Sequence, residues 1–122
     1  MILVDTSVWI DHLRASDAEL AALLNANQVL THPFVLGELA CGNLHNRGEL
    51  LALLGDLPRA AVATHDELLF FIERHALMGR GIGYVDAHLL AALTLSDATQ
   101  LWTRDNRLRV VATALALTYA RA

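Results

Sequence analysis

Short apolar runs alternate with helix-start signals from one end of this chain to the other, and that alternation limits the fold more than any other feature. Ile2-Leu3-Val4 is strongly apolar and Asp5-Thr6-Ser7 follows it with residue types that favour helix caps, so a buried strand is expected to feed directly into a helix. Gln28-Val29-Leu30-Thr31 reads as a second strand, Ala61-Val62-Ala63 as a third, Leu101-Trp102-Thr103 as a fourth, and Ala116 to Tyr119 as a weak last one. Between them, Ser16-Asp17-Ala18-Glu19 and Thr64-His65-Asp66-Glu67 match the capping box, in which a hydroxyl and a Glu three residues later satisfy free backbone N–H groups. Pro33 suits the first turn of a helix reaching about Gly42, and two further helices are expected over Gly83 to Leu95 and Asn106 to Leu115. The pattern predicts an α/β domain with a largely parallel sheet of roughly four to five strands and right-handed connections.

At 122 residues, with Pro and Gly few and scattered, nothing divides the chain, and residues 1–122 are expected to form one domain. A hydrophobic share of 55% against 18% charged excludes intrinsic disorder. The longest uncharged apolar stretch, Val110 to Ala120, is too short to span a bilayer, which takes roughly 18 residues or more. The amino-terminal apolar run ends at Asp5 without a basic region, so no secretory signal is expected. Cys41 is the single cysteine; it excludes an intrachain disulfide, fits a cytoplasmic location, and is expected to pack in the core.

The formal charge of −4 has the wrong sign for nucleic-acid binding by net charge, so any such role depends on local clustering. All nine basic residues are arginine. With no lysine, a P-loop and Schiff-base chemistry are both excluded. Arg104, Arg107 and Arg109 crowd the last strand-to-helix junction and Arg80 precedes the helix at Gly83, which makes Arg80, Arg104 and Arg107 candidate phosphate contacts; a solvated helix face is the plainer alternative for each. Gly79-Arg80-Gly81-Ile82-Gly83 reads as a turn, since a lone glycine cluster does not define a phosphate cradle.

Sorting the thirteen acids by ordinary structural jobs leaves four over. Glu19 and Glu67 belong to capping boxes, Asp17 and Asp66 to first helical turns, and Asp11 can pair with Arg14 at i,i+3; Glu49, Asp56, Glu73 and Asp97 sit in polar surroundings. Asp5, Glu38, Asp86 and Asp105 remain. Glu38 is the only charge between Pro33 and Asn46 and shares a helical face with Phe34, Val35, Cys41 and Gly42, which predicts an inward face. Asp86 is the only charge between Gly81 and Ser96, with Leu89, Leu90 and Leu93 continuing its stripe. Asp5 and Asp105 follow predicted strands, at the edge where open parallel sheets collect ligands.

Four carboxylates gathered in one cleft repel one another and raise each other's pKa unless a cation neutralises them. Oxygen-only ligands suit Mg²⁺ or Mn²⁺, and such an ion activates water and stabilises phosphate charge, so phosphodiester hydrolysis is the matching chemistry.

Taken together, Ile2-Leu3-Val4-Asp5-Thr6-Ser7-Val8-Trp9-Ile10-Asp11, Val35-Leu36-Gly37-Glu38-Leu39, Tyr84-Val85-Asp86-Ala87-His88-Leu89-Leu90-Ala91-Ala92 and Leu101-Trp102-Thr103-Arg104-Asp105 resemble the PIN domain family, most closely the VapC-type ribonuclease toxins of bacterial toxin–antitoxin systems. The resemblance implies a three-layer α/β/α PIN-like domain. It implies that Asp5, Glu38, Asp86 and Asp105 form a catalytic metal site for one or two Mg²⁺ or Mn²⁺ ions, with Thr6, Ser7 and Thr103 as hydroxyls orienting ligands or waters. It further implies endonucleolytic RNA cleavage, a homodimer, and inhibition by a cognate VapB-type antitoxin that occupies the active-site groove. Many relatives carry another acid or polar ligand shortly after the last Asp, where this chain has Asn106 and Arg107.

Two other functions fit part of the same pattern. A haloacid-dehalogenase-like phosphatase also uses an Asp after its first strand, but requires a second Asp where this chain has Ser7. A non-catalytic RNA-binding or partner-pairing module would carry the acids as a vestige. His88 follows Asp86 by two and points away from it on a helix, so a surface or hydrogen-bonded core role is expected. Trp9, Phe34, Phe70, Phe71 and Trp102 read as core or interface.

Overall fold

A computed structural model describes residues 1–97 and 99–120. The elements run β1 (Ile2–Val4), α1 (Thr6–Arg14), α2 (Ala18–Asn25), β2 (Val29–Leu30), α3 (Pro33–Ala40), α4 (Arg47–Gly55), α5 (His65–Arg74), α6 (Tyr84–Thr94), β3 (Gln100–Trp102) and α7 (Asn106–Ala114). β1 is central, paired in parallel with β2 through Ile2 to Val29 and with β3 through Leu3 to Leu101. All three residues of β1 are buried, as a strand covered on both faces must be.

The sheet has three regular strands among the described residues, and single parallel bridges, Thr31 to Arg59 and Leu101 to Thr118, widen it at both edges. The bridge at Thr118 falls in the expected last strand. The third expected strand, Ala61 to Ala63, is corrected: the bridge forms at Arg59 instead, through the Pro58 carbonyl and the Ala60 N–H. β2 ends at Leu30 and Pro33 opens α3, so residues beyond Ala60 have no extended backbone left to pair with.

Local signals explain most helix starts. Thr64 and Glu67 form the reciprocal capping box of α5, and Pro33 occupies the first turn of α3. At α2 the cap is Asp17 rather than Ser16: its Oδ1 accepts from the Glu19 and Leu20 N–H groups, and the Glu19 carboxylate accepts from the Tyr119 hydroxyl instead of closing a box. α4 has Asn46 at its N-cap in the left-handed region, with no side-chain cap hydrogen bond, and buries only Leu54. Helix α3 packs on α1 and α4, α5 packs on α6, and α6 packs on β3. Leu3, Val4, Val8, Leu20, Val35, Leu68, Leu89, Leu90, Leu101 and Leu108 are fully buried in one continuous core. Cys41 is exposed, because it lies beyond the Val35 and Leu39 stripe that faces inward.

Candidate active site

Asp5 stands at the carboxyl end of β1, in the N-cap position of α1, and is 6% exposed. Its carboxylate does not cap the helix. Instead Oδ2 accepts from the Thr103 hydroxyl at 2.7 Å and the Ser7 hydroxyl at 2.9 Å, which turns the group toward the end of β3. The Asp105 N–H donates to Thr103 Oγ1 at 3.1 Å, so a chain of hydrogen bonds links the β1 and β3 ends. Asp105 is exposed and caps α7, its Oδ1 accepting from the Arg107 and Leu108 N–H groups.

Glu38 departs from the inward face expected for it. The buried stripe of α3 is Val35 and Leu39; Glu38 lies roughly 60° off that stripe and is exposed. The Thr6 hydroxyl reaches across from α1 and donates to Glu38 Oε1 at 2.7 Å. Asp86 is half-buried in the first turn of α6, where its Oδ2 accepts from the Gly83 N–H at 3.3 Å. Burial raises the Asp86 carboxyl above the usual range; the Gly83 N–H opposes this, and the charges of Asp5, Asp105 and Glu38 push it further up.

Asp86 therefore lies within electrostatic range of the other three singled-out acids. In each of the four one oxygen carries the hydrogen bonds that orient it, while the other accepts none among the described residues. Four oriented carboxylates, each with an uncommitted oxygen, are a donor set chemically suited to a hard divalent cation. No three histidine, cysteine, aspartate or glutamate side chains among the described residues already stand at the spacing of a shared ion, so the fit rests on donor chemistry and electrostatic range.

The arginines divide. Arg104 is held by Asp11 Oδ2 at 2.5 Å and Asp17 Oδ2 at 2.6 Å, with its guanidinium carbon 5.7 Å from the Trp102 ring centre. The expected Asp11–Arg14 pair is thereby replaced by one spanning the fold. Arg80 and Arg107 have no acidic partner among the described residues, and both line a hollow of about 230 Å³ with Asn106, Val110 and Val111. Gly79 and Gly81 adopt positive φ, and a Cβ on Gly81 would come within 2.8 Å of Arg107 Cδ. A hollow of about 540 Å³ around Phe70, Phe71, Arg74 and Leu95 includes none of the four acids.

Two histidines are buried, of which only His88 drew notice in the sequence. His32 Nδ1 accepts from the Phe34 N–H at the start of α3, and burial, aided by His88, lowers its pKa to about 4. His88 is 2% exposed, so of the expected roles the core one holds, but neither ring nitrogen is hydrogen-bonded among the described residues, which corrects the expectation of a satisfied side chain.

The PIN domain profile matches residues 2–114. Ribonuclease VapC32 of Mycobacterium tuberculosis, in strains CDC 1551 / Oshkosh and ATCC 25618 / H37Rv, is 51% identical over 109 residues, covering 89% of this chain and 88% of the relative. A match across nearly its whole length, to the profile and to VapC relatives alike, places this chain in the PIN domain family.

Proposed function

We propose that this chain is a divalent-metal-dependent endoribonuclease of the VapC type, acting as a toxin through the Asp5, Glu38, Asp86 and Asp105 site. The observation that carries the reading is the hydrogen-bonded chain Asp5–Thr103–Asp105 across the ends of β1 and β3, in a chain whose PIN domain match spans residues 2–114. The named activity of the VapC32 relatives supports RNA as substrate.

In this mechanism Ser7 and Thr103 fix Asp5, Thr6 fixes Glu38, the Gly83 N–H fixes Asp86, and the start of α7 fixes Asp105, so each is held by one oxygen and keeps the other for a cation. A bound Mg²⁺ or Mn²⁺ ion, one or two in number, supplies Lewis-acid stabilisation of phosphate charge and lowers the pKa of water. Arg80 and Arg107, without acidic partners, supply bidentate donors for RNA phosphates. The phosphatase alternative is disfavoured at Ser7, whose hydroxyl donates to Asp5 and accepts the Arg104 N–H, leaving no second carboxylate where that chemistry needs one. The reading extends to a cytoplasmic homodimer controlled by a VapB-type antitoxin; no helix among the described residues is long and apolar enough to cross a membrane.

The test is cleavage of total RNA in Mn²⁺, with end-mapping, by wild type, Asp5→Asn and Asp86→Asn. Both variants are expected to fold and to lose cleavage. Full cleavage by the folded variants overturns the proposal, and RNA binding by the wild type without cleavage selects a non-catalytic module.

A further inference from the structure

Arg104 sits between two residues of the site, Thr103 and Asp105, and its guanidinium and backbone N–H are both engaged within the fold. One terminal nitrogen of its guanidinium is taken by Asp11 on α1 and the other by Asp17, the cap of α2. Asp17 spends Oδ1 on its helix cap and Oδ2 on Arg104, so the same carboxylate locks the helix start and the clamp. The Arg104 backbone N–H donates to Ser7 Oγ at 3.0 Å, and Ser7 Oγ donates to Asp5 Oδ2. Beneath the guanidinium lies the Trp102 ring.

A phosphate approaching this guanidinium would displace two charge-assisted bonds and meet a group whose local charge, one cation against two carboxylates, is negative. Arg80 and Arg107 present no such barrier. We propose that Arg104 is a positioning residue: clamped by Asp11 and Asp17, it holds the turn from β3 to α7 against α1 and α2, so that Thr103 and Asp105 meet Asp5 in register. The inference rests on the ribonuclease reading for its kinetic consequence, while the clamp itself is a structural claim that can be read without RNA.

The decisive variants are Arg104→Met, which keeps the stem packed on Trp102 and removes the charge, and the pair Asp11→Asn with Asp17→Asn, in which asparagine still serves as an N-cap. Both are expected to lower kcat by about tenfold while KM stays within about twofold, as for residues that orient a site without touching substrate. In an Asp5→Asn background, Arg104→Met is expected to leave RNA affinity and its salt slope unchanged, whereas Arg107→Met lowers the slope by about one. Amide hydrogen exchange should show Arg104 and Asp105 losing protection in both clamp variants while α5 and α6 stay protected. Weakened RNA binding and a reduced salt slope in Arg104→Met, or unchanged protection at Arg104 and Asp105, overturns the clamp. Cleavage retained by Asp5→Asn overturns the ribonuclease reading instead, and exchange then still decides the clamp. If Arg104→Met fails to fold, the double asparagine variant gives the same readouts.

Discussion

Thr103 donates its hydroxyl to Asp5 across 98 positions of sequence, at 2.7 Å in a buried setting. This bond joins the ends of the central strand and its β3 neighbour and sets the direction of the one deeply buried acid of the site. Thr103→Val keeps the shape and removes the donor. Stability should fall by about 1–3 kcal/mol, the usual cost of stripping a partner from a buried charged group. Turnover should drop by about 10- to 100-fold, as for other residues that orient ligands. Urea unfolding and RNA cleavage check the two effects, and wild-type values for both would remove Thr103 from the mechanism.

Asp86 carries a raised pKa because it is partly buried and faces Asp5, Asp105 and Glu38. A carboxyl raised by folding opposes folding once it ionises. Asp86→Asn should therefore abolish cleavage and yet raise Tm by a few degrees at neutral pH, with the gain fading as pH falls below the ordinary aspartate pKa, where the wild-type carboxyl is protonated in both states. A variant less stable than wild type at pH 7 contradicts the crowding of charge.

Divalent ions should stabilise the folded chain in proportion to their occupancy, by about 2.7 kcal/mol at a concentration one hundred times Kd. Mn²⁺ is expected to raise the wild-type Tm in a dose-dependent way and to leave Asp5→Asn almost unmoved. Calorimetric titration provides the parallel measurement, and equal shifts in the two proteins would place the ion elsewhere.

His32 is buried with its pKa lowered from 6.5 to about 4. The unfolded chain takes up a proton below the ordinary histidine value while the folded chain does not, so stability is intact above about pH 6.5 and declines as pH falls toward 4. The full effect of the shift is about 3 kcal/mol. Urea midpoints from pH 7.5 to pH 4 for wild type and His32→Asn should differ in slope over that window. Asparagine can still cap α3, so parallel profiles would assign the acid sensitivity to other groups.

Gly79 and Gly81 separate backbone strain from side-chain displacement. Both have positive φ, yet a Cβ at Gly79 meets open space and one at Gly81 meets Arg107. Each alanine substitution should cost about 1–2 kcal/mol of strain. Only Gly81→Ala should also weaken RNA binding, by pushing Arg107 from its place. Filter-binding affinities of the two variants decide it, and equal losses would sever the link to Arg107.

Much of this was legible in neighbouring residues. The capping box of Thr64 and Glu67, the proline opening α3, and a strand running into Asp5 are all satisfied within about one helical turn, so the pattern that causes them is contiguous. Elimination singled out Glu38 and Asp86 as lone charges in apolar stretches, but it missed that Asp105 has the ordinary job of capping α7 and that Asp86 accepts from the Gly83 N–H, so a local role did not separate these acids from the rest. Periodicity did less well with Glu38: a residue some 60° off the buried stripe looks the same on a helical wheel whether the neighbouring helix covers it or leaves a rim.

Pairings made at long range were decided elsewhere. Asp11 had a neighbour of opposite charge in Arg14 and took Arg104 instead, and Asp17, beyond its local helix cap, took Arg104 as well. Nothing adjacent in the chain could forecast those outcomes, since they depend on β3 lying beside β1 and on the turn after β3 landing against α1 and α2. A short-range hydrogen bond is encoded where it forms, whereas a contact between distant segments exists only once strand order and register have brought them within reach.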